Sequence, residues 1–250
     1  MSMPISVVMA VYNGRKYLAE QVESVLSQLD AEDELVAVDD ASSDGSASFL
    51  RELNSPRIRL YVNPQNIGVL RTFERALRLA RHDLIFLCDQ DDIWLPGKKT
   101  AYIDAFDNDR EVCVVISDAE LIDGSGKLLS NSYMTTGRGG FDGSILGTLW
   151  RNRYLGCAMA IRSSLLRIAL PIPTRAPMHD MWLGALGRMF GRIAYLSRPY
   201  QQYRRHGANA SPLGSNSRRR MIFWRLSLLE LLLRRKLAVL LGWHRNSIST

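Results

Sequence analysis

The sequence contains few cysteines and no long uninterrupted hydrophobic run, and its first residues do not predict a secretory leader. Three cysteines stand among 250 residues, and Cys88, Cys113 and Cys157 have neither the even number of a disulfide framework nor the spacing of a zinc site. No segment reaches the roughly 18 charge-poor residues of a membrane span, and the first ten residues lack the basic start of a signal peptide. We therefore expect a cytoplasmic protein with reduced thiols, attached at most peripherally to the inner face of the cell membrane.

Two frequent phosphate-binding motifs are also missing. No G-x-G-x-x-G follows the first apolar run, and the stretch 97–100 (GKKT) lacks the upstream glycine of a phosphate loop. A dinucleotide oxidoreductase and a P-loop ATPase are therefore disfavoured. A sugar nucleotidyltransferase stays open as an alternative, although the loop 12–15 (YNGR) is poorer in glycine than such enzymes usually require.

Positive charge is concentrated at the C-terminal end. The net charge is +7, but residues 204–245 contain ten Lys or Arg and a single acid, Glu230, so the rest of the chain is slightly acidic. This distribution implies a negatively charged partner for the C-terminal end, either a membrane or a nucleic acid. Nucleic acid is the weaker alternative, because the aromatic residues there lie in a leucine-rich stretch and not on an exposed stacking platform.

Strand and helix patterns alternate through the first half of the chain. Apolar and β-branched runs predict strands at 5–11, 34–40, 58–62 and 84–88, and helical spacing of apolar residues predicts helices at 16–29, 46–53, 70–80 and 98–106. Such alternation is typical of an α/β fold with a mostly parallel sheet and helices on both faces. Ligands of these sheets bind beyond the carboxyl ends of the strands.

The most unusual stretch is 83–94 (DLIFLCDQDDIW), where an apolar strand ends in three carboxylates. Asp89, Asp91 and Asp92 should raise one another's pKa values unless a positive charge lies among them. Oxygen ligands at a strand end suit Mg²⁺ or Mn²⁺, whereas the alternative is an acidic turn that keeps the strand end soluble. Polar tips also follow two other strands, at 12–14 and 39–45, and three tips on one sheet edge favour the metal interpretation.

Four segments, in this order, resemble the nucleotide-sugar domain of family 2 glycosyltransferases of the GT-A fold. They are VVMAVYNG at 7–14, VAVDDASSDGS at 36–46, NIGV at 66–69 and FLCDQDDIW at 86–94. Two later segments, MHDMW at 178–182 and YRRHGAN at 203–209, resemble the HDWWL and YRxHGxN patterns of bacterial rhamnosyltransferases in that family. Trp182 matches the pattern, and Met181 departs from the more common aromatic residue. The resemblance extends to about residue 211.

The resemblance implies a role for several acidic and imidazole side chains. Asp91, with Asp89, is implied to hold a divalent cation, Mn²⁺ or Mg²⁺, and His206 to be a third ligand or a diphosphate contact. For His206 the alternative is a loop histidine with a local hydrogen bond. Asp180 matches the base that takes the proton from the acceptor hydroxyl in inverting members; its alternative role is a helix N-cap.

The resemblance also implies that the nucleotide lies across the first two strand tips. Tyr12 would stack on the base, Asp40 would accept a hydrogen bond from the base or ribose, and Arg71 would reach the base or the phosphates. The same matches also assign nucleotide-sugar binding to Ala10, Asn66, Asp89, Gln90 and Trp182.

We divide the chain into a catalytic domain at 1–211 and a basic helical extension at 212–250. Within the domain, 1–110 forms the nucleotide-sugar half and 111–211 the acceptor half, with a hairpin at 123–126 and a Gly-rich stretch at 135–143 that is either a lid or a connection. Residues 218–243 predict one or two helices on an anionic membrane surface. The alternatives are packing on the catalytic domain and a homodimer interface.

These expectations combine into one functional hypothesis. The chain is expected to be an inverting, metal-dependent hexosyltransferase that moves a sugar, rhamnose by the motif resemblance, from dTDP-rhamnose or a UDP-sugar. The acceptor is expected to be a hydroxyl of a saccharide or lipid-linked saccharide in bacterial cell-surface polysaccharide, O-antigen or glycolipid synthesis. A non-enzymatic membrane- or nucleic-acid-binding protein is the remaining alternative.

Overall fold

The computed structural model describes residues 3–135, 141, 143–145, 147, 154–207 and 218–242. In its first half, strands and helices alternate as the sequence predicts, and each predicted boundary lies within three residues of the observed one; the short strand β5 was not predicted. The elements are β1 (Ile5–Val11), α1 (Arg15–Leu26), β2 (Glu34–Asp39), α2 (Ser46–Glu52), β3 (Ile58–Val62), α3 (Val69–Leu79), β4 (Leu84–Asp89), β5 (Ile93–Trp94) and α4 (Lys98–Asn108).

The second half adds four further strands and two longer helices. They are β6 (Val112–Asp123), β7 (Leu128–Ser130), β8 (Met159–Arg162), α5 (His179–Phe190), β9 (Arg192–Arg205) and α6 (Arg218–Leu240). The predicted hairpin is confirmed as β6–β7, whose turn is closed by Asp123: its Oδ1 accepts hydrogen bonds from Ser125 and from the Lys127 amide. The Gly-rich stretch and the proposed boundary at 211 fall largely outside the described residues and stay predictions.

The central strands are apolar on both faces because each face covers a separate hydrophobic core. In β1, Val8 belongs to one core, while Val7 and Met9 belong to the other. The Val8 side is covered by α3 and α5 through residues such as Phe73 and Trp182, and the opposite side is covered by α1 and α4. Burial on two faces explains why these strands read as continuous apolar runs.

The described strands form one sheet in the order β3-β2-β1-β4-β8-β6-β9-β5, with β7 beside β6. The pairs β3–β2, β2–β1 and β1–β4 are parallel, as expected for the nucleotide half. The second half is mixed, because β8 is inserted antiparallel between β4 and β6, and β9 pairs parallel to β6. The result is the α/β architecture with a mostly parallel sheet and helices on both faces that was expected.

The three polar strand tips lie on one sheet edge, as predicted. Ala10 of β1 is in register with Asp89 of β4, and Val11 is in register with Asp39 of β2. Asn13 and Ala41, directly after β1 and β2, both have positive φ angles, of 48° and 61°. Non-glycine residues in this region are strained, and such strain concentrates at functional sites.

The C-terminal helix predicted at 218–243 is confirmed as a single helix, α6. It packs against α5 and buries Leu228 and Leu232, so the alternative of packing on the catalytic domain is realised for one face of this helix. Residue 243 lies outside the described residues. Among the helices that the structure describes, none is both long and apolar enough to cross a bilayer.

The contact between α5 and β6 leaves no room for a side chain at Gly187. A Cβ atom there would lie 2.3 Å from Cγ2 of Val114. We expect Gly187→Ala to lower the free energy of unfolding by about 1–3 kcal/mol in chemical denaturation, despite the better helix propensity of alanine. Val114→Ala removes the methyl group that the new Cβ would meet. The loss of unfolding free energy in the double variant should therefore be clearly smaller than the sum of the losses in the two single variants. Full additivity would contradict this packing.

Candidate active site

A cavity of about 400 Å³ lies at the carboxyl ends of β1, β2 and β4. Its position is the one expected for ligands of a parallel sheet, and its size suits a small organic ligand. Helix α5 closes the opposite side. The lining residues are Ala10, Val11, Tyr12, Asp40, Asn66, Gly68, Val69, Thr72, Phe73, Asp89, Gln90, Asp91, Leu155, Gly156, Met178, His179, Asp180 and Tyr203.

The three aspartates after β4 have different surroundings. Asp92 is fully buried and accepts hydrogen bonds from Nε2 of Gln201 and from the Arg204 amide, both at 2.8 Å, so it fastens the turn to β9. Asp89 and Asp91 instead line the cavity, and Oδ2 of Asp91 lies 2.7 Å from Nε2 of His206. Only two of the three carboxylates are therefore presented to a ligand.

Burial and the charges of neighbouring carboxylates raise the pKa values of Asp89 and Asp92. Burial, followed by the charges of Asp92 and Asp91, holds the pKa of Asp89 well above its ordinary value. For Asp92, burial and the neighbouring Asp91 raise the pKa to about 7. A divalent cation between the carboxylates would favour their charged forms.

A buried lysine beneath the cluster was not expected from the sequence. Nζ of Lys98 donates a 2.7 Å hydrogen bond to the Cys157 carbonyl and a second hydrogen bond to Oε1 of Gln201. Its full burial lowers its pKa to about 8, opposed by the charges of Asp92 and Asp89. The only local signal was the lysine pair in the GKKT stretch, which by itself does not indicate burial.

The residues facing the cavity suit a divalent cation. Asp89 and Asp91 offer hard oxygen ligands, and His206 lies beside Asp91. Among the described residues, Asp89, Asp92 and Cys157 also have ligand atoms within 4.8 Å of one another. That second set is less suitable, because Asp92 is already engaged by β9 and burial keeps the pKa of the Cys157 thiol well above its ordinary value.

Asp180 lies across the cavity, in the first turn of α5. The helix begins at His179 with Met178 as the N-cap residue, so the alternative role of Asp180 as the N-cap is not realised. Its carboxylate is mostly buried, and its charge contributes to raising the pKa of Asp89. Asp180 therefore faces the same space as the cavity-facing acids of β4.

His179 is a second unexpected feature of this wall. Its ring stacks on Phe73 with centroids 3.9 Å apart, and neither ring nitrogen has a hydrogen-bond partner among the described residues. Burial lowers its pKa to about 3, so it is neutral at physiological pH. A Cβ atom at Gly156 would lie 2.8 Å from its Nε2, so glycine is needed for this close approach. The sequence signal was only its place before the candidate base.

The side of the cavity that is predicted to bind the nucleotide is organised by Asp40 and Gln90. Asp40 accepts hydrogen bonds from Asn63 and from the amides of Ile67 and Gly68, which orders the loop that carries Asn66. Oε1 of Gln90 accepts a 2.8 Å hydrogen bond from the Tyr12 amide, and Nε2 of Gln90 donates a 3.0 Å hydrogen bond to the Tyr12 carbonyl. Both residues therefore fix backbone at the cavity, and Tyr12 is left half exposed on the rim.

The structure does not bring every expected nucleotide contact to the cavity. Arg71 pairs with Glu74 and donates to the Ile172 carbonyl, so its guanidinium is engaged away from the lining. Trp182 is fully buried in the core, and its Nε1 donates to the Ala169 carbonyl at 2.8 Å. The apolar core accounts for Trp182 without a ligand. Ala10, Tyr12, Asp40, Asn66, Asp89 and Gln90 all line the cavity.

Comparisons with known proteins agree with this architecture. The model of the family described as glycosyl transferase family 2 matches residues 6–168. The chain is 33% identical to the chondroitin synthase of Escherichia coli over 131 residues, 52% of this chain and 19% of that protein. It is 34% identical over 94 residues to the Escherichia coli UDP-Glc:alpha-D-GlcNAc-diphosphoundecaprenol beta-1,3-glucosyltransferase WfgD, 38% of this chain and 37% of that protein.

Among solved structures, the fold resembles TarS 1-349 of S. aureus in complex with UDP-GlcNAc. The TM-score is 0.70 at 18% sequence identity, covering 93% of this chain and 66% of TarS 1-349. The chain spans from about a fifth to two thirds of the length of the curated relatives that it matches.

The neutral state of buried His179 predicts a pH dependence of stability. The unfolded chain binds a proton near pH 6.5, whereas the folded chain resists protonation down to about 3, so stability falls as the pH drops through this window. Between pH 7.5 and 5 the loss due to His179 should be about 2 kcal/mol. We expect His179→Phe, which keeps an aromatic ring on Phe73, to lose correspondingly less stability in urea titrations.

The matched control is His82→Phe, at a histidine outside the cavity lining. This variant should still show the loss of stability that is caused by His179 between pH 7.5 and 5. Equal pH dependence in the wild-type chain and in His179→Phe would show that His179 is not held neutral by burial.

Proposed function

This chain belongs to glycosyltransferase family 2, and from that premise we propose that it transfers a sugar from a nucleoside diphosphate sugar to a hydroxyl group of a saccharide acceptor in bacterial polysaccharide or glycolipid synthesis. One observation carries the proposal: a single cavity has Asp89 and Asp91 on one wall and Asp180 on the other. This arrangement supplies anchoring acids for a donor diphosphate complex and a separate carboxylate for proton transfer.

The donor nucleotide would occupy the part of the cavity between the tips of β1 and β2. Tyr12 offers an exposed ring for stacking, and the loop held by Asp40 presents Asn66 to the ligand. This loop is ordered in advance, so binding would cost little loop entropy. The UDP-GlcNAc named in the TarS complex supports a nucleoside diphosphate sugar as the donor class.

The diphosphate would lie beside Asp89 and Asp91. A carboxylate pair repels a diphosphate, so these residues suit the donor only when a divalent cation, Mg²⁺ or Mn²⁺, is bound between them. When bound, this cation neutralises charge on the leaving diphosphate. His206 would contact the cation or the diphosphate from the side of β9, where it already lies against Asp91.

Asp180 would act as the base. Its carboxylate takes the proton from the acceptor hydroxyl as that oxygen forms a bond to the anomeric carbon. The bond between the anomeric carbon and the diphosphate oxygen breaks in the same displacement, and the bonding electrons leave with the diphosphate. A single displacement inverts the anomeric configuration.

Rhamnose is our proposal for the transferred sugar, carried by dTDP or UDP. It rests on the motifs around His179-Asp180 and Tyr203–His206 alone. Neutral His179, with both ring nitrogens unpaired among the described residues and lining the cavity, offers a hydrogen bond to a sugar or acceptor hydroxyl. We expect it to contribute to sugar selectivity through that hydrogen bond.

Asp180→Asn should separate transfer from donor binding. We expect the rate of transfer to fall by about 10²–10⁴-fold, because the amide cannot accept the acceptor proton, while the affinity for the donor nucleotide is retained. The rate is measured with a radiolabelled donor and the affinity by calorimetry. Asp104→Asn, at an exposed acid on α4, is the control and should keep full activity. Unimpaired transfer by Asp180→Asn would exclude this base.

Asp91→Asn should have the complementary effect. We expect dTDP or UDP with Mn²⁺ to raise the melting temperature of the wild-type chain and of Asp180→Asn, because a ligand of the native state stabilises it. Chelation by EDTA should remove the shift, and Asp91→Asn should show little shift with either nucleotide. A full shift in Asp91→Asn, or in EDTA, would argue against the cation site.

A further inference from the structure

Helix α6 has one face that is fixed to the catalytic domain. Leu228 and Leu232 are buried on this face, and Arg235 donates hydrogen bonds to the carbonyls of Leu170 and Pro171. The Arg235 guanidinium also lies 5.3 Å from the ring centroid of Trp182 in α5. The orientation of α6 about its own axis is therefore determined by contacts with the domain.

The opposite face of α6 exposes a continuous apolar stripe. From Phe223 to Leu240 successive members are three or four residues apart, so they lie on one side of the helix over about 26 Å, from the rise of 1.5 Å per residue. Leu241 follows directly after the end of α6. Each side chain is between 40% and 71% exposed. The apolar stripe consists of Phe223, Leu226, Leu229, Leu233, Leu237, Leu240 and Leu241.

Positive charges border the apolar stripe. Arg225 and Lys236 lie along one border and Arg234 along the other, by their positions on the helix. Glu230, the single acid of α6, is paired with Arg175 at 3.2 Å and with Arg234 at 2.7 Å. The helix also begins with Arg218, Arg219 and Arg220.

We propose that the apolar stripe of α6 binds an anionic lipid surface, with its side chains in the boundary between headgroups and acyl chains. An exposed apolar face bordered by cations is the pattern of helices that lie in a membrane interface. Each basic residue near an anionic surface adds about 1 kcal/mol, and the long Lys and Arg stems let their charges reach the headgroups. A second copy of the chain is a poorer occupant, because two cationic borders would face each other.

This surface has a consequence for the acceptor, which rests on the proposed function. Helix α6 packs on α5, and the first turn of α5 carries Asp180. Binding through α6 would hold the base at a fixed distance from the lipid surface. This geometry favours an acceptor saccharide anchored to a lipid in the same membrane over a free one.

The test is sedimentation of the full chain with vesicles of phosphatidylcholine, with and without phosphatidylglycerol. We expect binding to the anionic vesicles that weakens with salt. Leu233→Gln/Leu237→Gln should reduce it about tenfold or more, because two apolar side chains lose their burial. The matched control is Leu128→Gln/Leu129→Gln, at two exposed leucines of β7, which should bind like the wild-type chain.

A second pair of variants tests the charges. Arg225→Gln/Lys236→Gln should reduce binding to anionic vesicles about tenfold and leave binding to neutral vesicles unchanged. Arg51→Gln/Arg110→Gln, at exposed positions of the nucleotide half, should have a much smaller effect. All substituted side chains except Arg225 are exposed, and circular dichroism checks that each variant is folded.

Three results would overturn the proposal. The first is that the wild-type chain does not bind anionic vesicles. The second is that Leu233→Gln/Leu237→Gln binds them as well as the wild-type chain does. The third is that, without lipid, light scattering shows a dimer for the wild-type chain and a monomer for this variant. The thermal shift with nucleotide and Mn²⁺, measured on the same variants, keeps the two proposals separate. A normal shift without vesicle binding removes the membrane surface alone, whereas vesicle binding without any shift removes the proposed function alone.

The acceptor consequence has its own readout. The leucine pair in α6 should slow transfer to a lipid-linked acceptor in vesicles and leave transfer to a soluble acceptor analogue unchanged. Equal rates for the variant and the wild-type chain on the lipid-linked acceptor would remove this consequence.

Discussion

The structure depends on how the three carboxylates at the end of β4 are accommodated. Unpaired buried charge is costly, so the cluster is stable only when donors surround it. Asp92 receives these donors from Gln201 and Arg204 of β9, and Lys98 lies beneath from the start of α4. All three partners come from later parts of the chain. The acidic tip therefore links assembly of the second half of the sheet to formation of the cavity, and two acids, Asp89 and Asp91, are left facing it.

The opposite wall is formed by the first turn of α5, where the helix dipole favours a negative charge such as Asp180, whose Oδ1 accepts a 2.6 Å hydrogen bond from the Met181 amide. The same helix packs its apolar side on the sheet and contacts α6, so one rigid element connects the cavity with the C-terminal surface. His179 completes this wall as a neutral, buried imidazole stacked on Phe73. The position of Asp180 and the neutral state of His179 both follow from the packing of α5.

The first half of the fold was predictable to within three residues, because its strands β1, β2 and β4 are buried on both faces and its helices have apolar residues at helical spacing. Two short strands were less accessible: β8 in the second half has four residues and β5 in the first half has two, and their partners are far away in sequence. For the site, the strand tips were predictable from topology. Trp182 and Arg71 are not among the residues that line the cavity, since their side-chain directions are set by core packing and by the Glu74 ion pair, which motif matching does not show.

Local chemistry in the sequence already determined the α/β class, the position of the acidic tip after β4 and the helical, basic C-terminal segment. These features depend on periodicity and on neighbouring residues, which the linear chain contains. Tertiary packing decided the division of labour among the three acids, the burial of Lys98 and the neutral state of His179. It also decided which face of α6 is covered and which is exposed. These properties arise from contacts between residues distant in sequence, where burial sets both charge state and access to solvent.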